Sequence, residues 1–194
     1  MQEPQSLHGH AADNLRFIRD AMSRAGQFTA VPGWGGVTMG MTALATAALA
    51  SRAADRTEWL LWWFGDAAVA IAIAAVTMRW KARRLEQPLL TAPAKRFALA
   101  YVPPLAAGAV LTAVFYTSGL APRLPGMWLL LYGVAIATAG TLSVRVVQIT
   151  GLTFMAAGAA SLAAPARFGD AFMAAGFGGL HIVFGLIIAR NHGG

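Results

Sequence analysis

The chain contains no cysteine. Disulfides, thiolate metal sites and cysteine nucleophiles are thereby excluded. Charge is also scarce: Asp, Glu, Lys and Arg make up 12% of 194 residues, against 57% hydrophobic. A soluble domain of this size could not hide that much apolar surface. Lysine occurs only as Lys81 and Lys95. Both fall between apolar stretches, so a retinal Schiff base has no intramembrane lysine to form on. Of the four histidines, His8, His10 and His192 sit near the termini and only His181 lies within an apolar stretch. A bis-histidine b-type haem would need two there. A metal bound by the three terminal histidines would be adventitious, so no metal site is assigned. No phosphate loop, His-Glu-x-x-His helix or Rossmann glycine pattern occurs. No catalytic residue and no cofactor are assigned.

Long hydrophobic runs fill the space that charge leaves. About six apolar stretches of spanning length can be counted, each near the 20 residues needed to cross a hydrocarbon core. The expected fold is all-α: a polytopic membrane protein with a compact six-helix bundle. The spans are placed at 34–51, 59–79, 97–118, 127–143, 147–164 and 171–190. Residues 1–33 form a cytoplasmic tail, 34–190 the transmembrane domain and 191–194 a short tail. The division between the fourth and fifth spans is the weakest, because only Arg145 and Gln148 interrupt the run; a five-span reading with one broken helix stays open. The first thirty-odd residues lack an apolar core before a cleavage site, so no removable signal peptide is expected.

The net charge is +7. In a soluble protein that balance would suggest nucleic acid; here it fits basic loops facing anionic cytoplasmic lipid, and no nucleic-acid partner is expected. With the N-terminus inside, eleven Lys and Arg fall on the inner side, among them Arg79, Lys81, Arg83, Arg84, Lys95 and Arg96. Four, Arg52, Arg56, Arg123 and Arg167, fall outside. The positive-inside rule then puts both termini in the cytoplasm of a bacterial inner membrane. Trp34, Trp59, Trp62, Trp63, Trp80 and Trp128 all lie near span ends, as in an interfacial aromatic belt.

Between Asp13 and Ala25 the pattern predicts an amphipathic helix with Leu15, Ile18 and Met22 on its apolar face. Its polar side mixes Arg16, Arg19 and Arg24 with Asp13 and Asp20. Such mixed charge suits docking on protein better than adsorption to lipid. Gly26 ends this helix, and Thr29-Ala30-Val31-Pro32-Gly33-Trp34-Gly35-Gly36 forms an elbow into the first span. The text from Asn14-Leu15-Arg16-Phe17-Ile18-Arg19 through Gly36 resembles the opening of a group of uncharacterised small bacterial six-span membrane proteins. That resemblance covers mainly residues 14–36, implies the span count, and carries no activity across.

Small residues recur at four-residue spacing: Gly36 and Gly40; Gly133, Ala137 and Thr141; Ala174 and Gly178; Ala175 and Gly179. Such stripes allow close approach of helices within one bundle or between copies of the chain. Phe64-Gly65-Asp66-Ala67 recurs as Phe168-Gly169-Asp170-Ala171, which leaves a descent from repeated hairpins open.

Two intramembrane polar residues are candidates for a site. Asp66 lies about 10 Å into the second span, and His181 lies about 16 Å into the sixth, by a rise of 1.5 Å per residue. Carboxylates and imidazoles at such depth mark a site or a specific partner. A modest tilt would bring the two within hydrogen-bonding reach. Alternatively, Asp66 is hydrated near the interface, and His181 is neutral and bonded to a carbonyl or hydroxyl of a neighbouring helix. Pro103-Pro104 is either a kink in the third span or its true start. An intramembrane serine protease is set aside, because Tyr116-Thr117-Ser118-Gly119 lacks the leading glycine such enzymes need. Two functional readings follow. One is a non-enzymatic accessory subunit or regulator docking through Leu15, Ile18 and Met22. The other is a small transporter or channel subunit using Asp66 and His181. An intramembrane enzyme or redox component is a third.

Overall fold

The fold is that of a computed structural model, which describes residues 13–15, 17, 31–84 and 91–191. Among these residues every regular element is helical. Six long helices follow one another: α1 (Gly33–Ala50), α2 (Arg56–Arg84), α3 (Ala92–Thr117), α4 (Leu124–Gly140), α5 (Arg145–Ala163) and α6 (Ala166–Asn191). Four of them, α2, α3, α5 and α6, are long and apolar enough to cross a membrane. At 1.5 Å per residue the 29 residues of α2 reach about 43 Å. The shorter α1 and α4 hold 18 and 17 residues.

Local chemistry sets the helix ends. Thr91 caps α3, its hydroxyl accepting from Ala94 N at 3.2 Å, and a proline follows in the first turn. At the far end Gly119 takes a left-handed φ of 73°, and Leu120 N donates to Phe115 O at 2.8 Å. Ser118-Gly119 is thus a helix terminator, with glycine where a left-handed residue is required. The fourth and fifth apolar stretches are separate helices, joined by a tight turn over 141–144 in which Ser143 N donates to Gly140 O. No proline is needed there, because Gly140 lies directly against the backbone of Gln148.

Glycines hold two antiparallel helix pairs together. In the α4–α5 hairpin a Cβ on Gly126, Gly133, Gly151 or Gly158 would collide with Leu162, Met155, Ala137 or Leu130 respectively. In the α1–α6 pair, Gly33, Gly40 and Gly185 lie as tightly against Ala189, Ile182 and Val37. Where lipid tails are as apolar as the side chains, backbone approach of this kind supplies packing that the hydrophobic effect cannot. The small-residue stripes therefore pack within this chain, and their spacing along each helix is seven residues as well as four. Gly179 is different, with open space where its Cβ would stand.

The packing order runs α2, α1, α6, then α4 with α5, then α3. The bundle is a horseshoe. Its two tips, α2 and α3, stand apart along most of their length and meet where Thr57 Oγ1 lies 2.7 Å from the Tyr116 hydroxyl. Apolar side chains cover the outside, among them Leu61 and Val69 on α2 and Leu99 and Val110 on α3. Because the helices alternate in direction, Arg79, Lys81, Arg83, Arg84, Lys95, Arg96, Arg145 and Arg190 gather at one end. Lys81 differs from the loop position expected for it. It lies on α2, buried, with Nζ donating to Val31 O at 3.0 Å, and so anchors the entry to α1. Of the expected N-terminal helix, Asp13–Leu15 and Phe17 are helical, with Leu15 and Phe17 exposed; Ile18 and Met22 lie outside the described residues.

Candidate functional site: an intramembrane cavity

Inside the horseshoe lies a cavity of about 460 Å3, bounded by α1, α2, α3, α4 and α6. Its walls are mainly apolar. Met39, Ala43, Ala70, Ile71, Pro104, Leu105 and Met173 supply aliphatic surface; Trp63, Phe64, Tyr101, Trp128, Tyr132 and Phe177 supply rings. Phe64 and Ile71 line it although they are 51% and 71% exposed. The cavity therefore opens sideways between α2 and α3. Drug-sized ligands occupy mostly apolar pockets of about 300–1,000 Å3 with a few placed polar groups.

Aromatic contacts form a ladder along the cavity. Trp59 stacks on Trp128 at 5.4 Å, and Trp63 faces Phe177 at 6.1 Å. Phe177 meets Tyr132 at 5.1 Å, and Tyr132 meets Tyr101 at 6.3 Å. This corrects part of the aromatic-belt expectation. Trp34, Trp62 and Trp80 are exposed, but Trp59 and Trp63 are 3% and 4% exposed and belong to the interior. Their spacing carries the reason: residues 59, 63, 66 and 70 share one face of α2.

Both candidate polar residues, Asp66 and His181, line the cavity. They do not form the bonded pair that the sequence left open, because both nitrogens of His181 are engaged elsewhere. Nδ1 lies 2.9 Å from Phe177 O, which can only accept, so Nδ1 carries the proton. The Tyr132 hydroxyl then donates to Nε2 across 2.6 Å. This describes a neutral imidazole tied to its own helix and to α4. His181 follows directly on a π-helical stretch, Ala174–Leu180. Such stretches are rare and recur at functional sites.

Asp66 lies ten residues into α2, about 15 Å from its start. The Thr42 and Thr46 hydroxyls of α1 flank the carboxylate. Its Oδ1 is nevertheless buried with no hydrogen-bond partner among the described residues, and Trp63 Nε1, one turn away, is in the same condition. Asp170, in the same four-residue text, sits otherwise: its Oδ1 accepts from Trp59 Nε1 at 2.7 Å near the start of α6. The two copies of Phe-Gly-Asp-Ala thus occupy different depths and make different contacts.

The prolines of α3 are interior, eleven residues beyond its first residue, which decides against their marking the helix start. Pro104 has no N–H for Ala100 O, and the Thr138 hydroxyl of α4 lies 3.1 Å from that carbonyl. This hydroxyl of the neighbouring helix is within reach of the freed carbonyl, although it also lies 2.7 Å from Val134 O of its own helix. Pro104 itself lines the cavity beside Tyr101. Trp128 is held there by its Nε1, which donates to Thr112 Oγ1 at 2.8 Å, while that hydroxyl donates to Gly108 O at 2.7 Å. Sequence reasoning missed Trp63, Trp128 and Tyr132 as site residues. The signal available was the shared face of Trp59, Trp63 and Asp66. No protein family, curated protein or solved structure matches the chain.

Proposed function

We propose that the chain is a six-span protein of the bacterial inner membrane, with both termini cytoplasmic, that binds an apolar small molecule in the cavity between α2 and α3. It would act as a small carrier or transporter subunit. One observation carries this reading. The apolar cavity is lined by Asp66 and Trp63, and each carries a buried polar atom, Oδ1 and Nε1 respectively, that no described residue satisfies. Leaving each such group unpaired costs about 1–3 kcal/mol, more for a charged one. A ligand that offers a donor to the half-buried Asp66 carboxylate would recover part of that cost. The six-span count is supported by the tight pairing of α1 with α6 and of α4 with α5. The orientation is supported by the basic side chains gathered at one end.

Native mass spectrometry of the protein released from its own membrane tests the reading. A small molecule should accompany the wild type and be lost from Ala70→Trp, which fills the cavity from α2. Identical spectra for the two proteins would contradict it. The accessory-subunit reading retains one observation, the exposure of Leu15 and Phe17 on a helix. Replacing Leu15, Ile18 and Met22 with serine should then release a co-purifying chain. If every bound partner stays, that reading loses its support.

A further inference from the structure

We propose that the molecule bound in the cavity is a lipophilic cation, held at Asp66 among aromatic faces, that enters sideways from the bilayer between α2 and α3. The inference rests on the reading of the cavity as a ligand site. It adds the charge of the ligand and its route.

The argument starts from what lines the cavity. Asp66 is the only Asp, Glu, Lys or Arg side chain among the described residues of the wall. Its immediate flank is two threonine hydroxyls, which can donate to the carboxylate but cannot balance its charge. Of its two oxygens, Oδ1 has no partner among the described residues. A carboxylate in a low-dielectric site is strongly disfavoured unless a positive group accompanies it. His181, which carries the only ionisable nitrogens among the described wall residues, spends both ring nitrogens on Phe177 O and Tyr132. No described residue of the wall supplies the positive partner, and a cation entering the cavity would.

The rest of the wall suits the same chemistry. Trp63, Phe64 and Trp128 line the same cavity as Asp66, with Trp63 one turn from it on α2, and Phe177 and Tyr101 continue the aromatic surface. Aromatic faces carry negative potential and attract ammonium groups, more strongly when desolvated. A carboxylate among rings fits a bulky organic cation. It repels an anion and gives a neutral apolar molecule no electrostatic advantage. Entry follows from the horseshoe. The tips α2 and α3 stand apart, and the wall residues Phe64 and Ile71 are open to the outside of the bundle. A molecule dissolved in the hydrocarbon can reach Asp66 without passing through either aqueous face.

The test uses the full chain in lipid nanodiscs with tritiated methyltriphenylphosphonium as the probe. Its neutral isostere 1,1,1-triphenylethane serves as competitor. The expected result is saturable binding of the cation, weakened at least tenfold by Asp66→Asn and kept in Asp66→Glu and Asp170→Asn. The neutral competitor should be at least tenfold weaker than unlabelled cation. If the neutral isostere displaces the probe as well as the cation does, and Asp66→Asn binds like wild type, the cation inference is overturned while the cavity stands as a ligand site. If neither compound binds saturably, and Ala70→Trp behaves like wild type, both the inference and the cavity reading fall. Thermal unfolding of each variant shows that it is folded, and Asp66→Glu keeps the test decisive should Asp66→Asn fail to fold.

Discussion

Asp66 and Asp170 occupy the same four-residue text, yet their surroundings give them opposite consequences. Asp170 satisfies a buried indole N–H, so Asp170→Ala should strand Trp59 Nε1 and cost about 1–3 kcal/mol. Asp66 Oδ1 has no partner among the described residues, and the Thr42 and Thr46 hydroxyls can donate to an amide oxygen as to a carboxylate, so Asp66→Asn should leave stability nearly unchanged and act on ligand binding instead. Thermal unfolding in detergent, with ligand absent, distinguishes them: equal losses would contradict the assignment. Tyr132→Phe should likewise cost about 1–3 kcal/mol, since it removes the donor to a buried imidazole nitrogen. The nitrogen-15 chemical shift of His181 Nε2 should move toward that of an unbonded acceptor; an unmoved shift would contradict the bond. Asp66 and His181 were legible in the sequence because ionisable side chains stand out in apolar text. Trp63 and Tyr132 were not. An aromatic near a span end reads the same whether it faces lipid headgroups or a cavity, and only the face it shares with Asp66 separates the two.

At the scale of helices, the glycines make the sharpest statements. Gly151 faces the backbone of Ala137 so closely that any Cβ must push the hairpin apart. Gly151→Ala should therefore destabilise by about 1–3 kcal/mol, as overpacking does. Gly179→Ala should cost nothing by comparison, since its Cβ would enter open space. Melting temperatures of the two variants in detergent test the contrast, and a larger loss at Gly179 would sink it. Helix positions were legible because hydropathy and charge breaks mark them, and the six apolar stretches coincide with six helices to within a few residues at most ends. The exceptions have physical causes. Both α2 and α3 extend beyond their apolar cores into basic turns, where Lys81 is drawn into the helix by Val31 O. The role of Ala175 and Gly179 could not be read from spacing alone, because a four-residue stripe does not say which face meets a neighbour.

The whole molecule is a horseshoe whose tips leave a lipid-facing opening, with eight of its described Lys and Arg at one end and Arg52, Arg56, Arg123 and Arg167 at the other. The charge pattern predicts that, with single cysteines introduced into the cysteine-free chain, Asp55→Cys is labelled by an impermeant reagent in intact cells. Arg83→Cys and Arg190→Cys should be protected. Labelling of either arginine position would reverse the orientation. The presence of several antiparallel helices was legible from composition, but the cavity was not. It arises because α2 packs on α1, and α3 on α4, without α2 and α3 packing on one another. Such a gap depends on helix order around the bundle, which hydropathy does not encode. The central claim is that this gap admits a small apolar molecule to Asp66. Photolabelling in native membranes with 3-trifluoromethyl-3-phenyldiazirine, with sites read by peptide mass spectrometry, tests it most directly. The account predicts saturable labelling of cavity residues such as Ala67, Leu105 and Ala109, abolished in Ala70→Trp. Unsaturable labelling confined to outward residues such as Leu61, Val69 and Val110, and unchanged by that substitution, would contradict it.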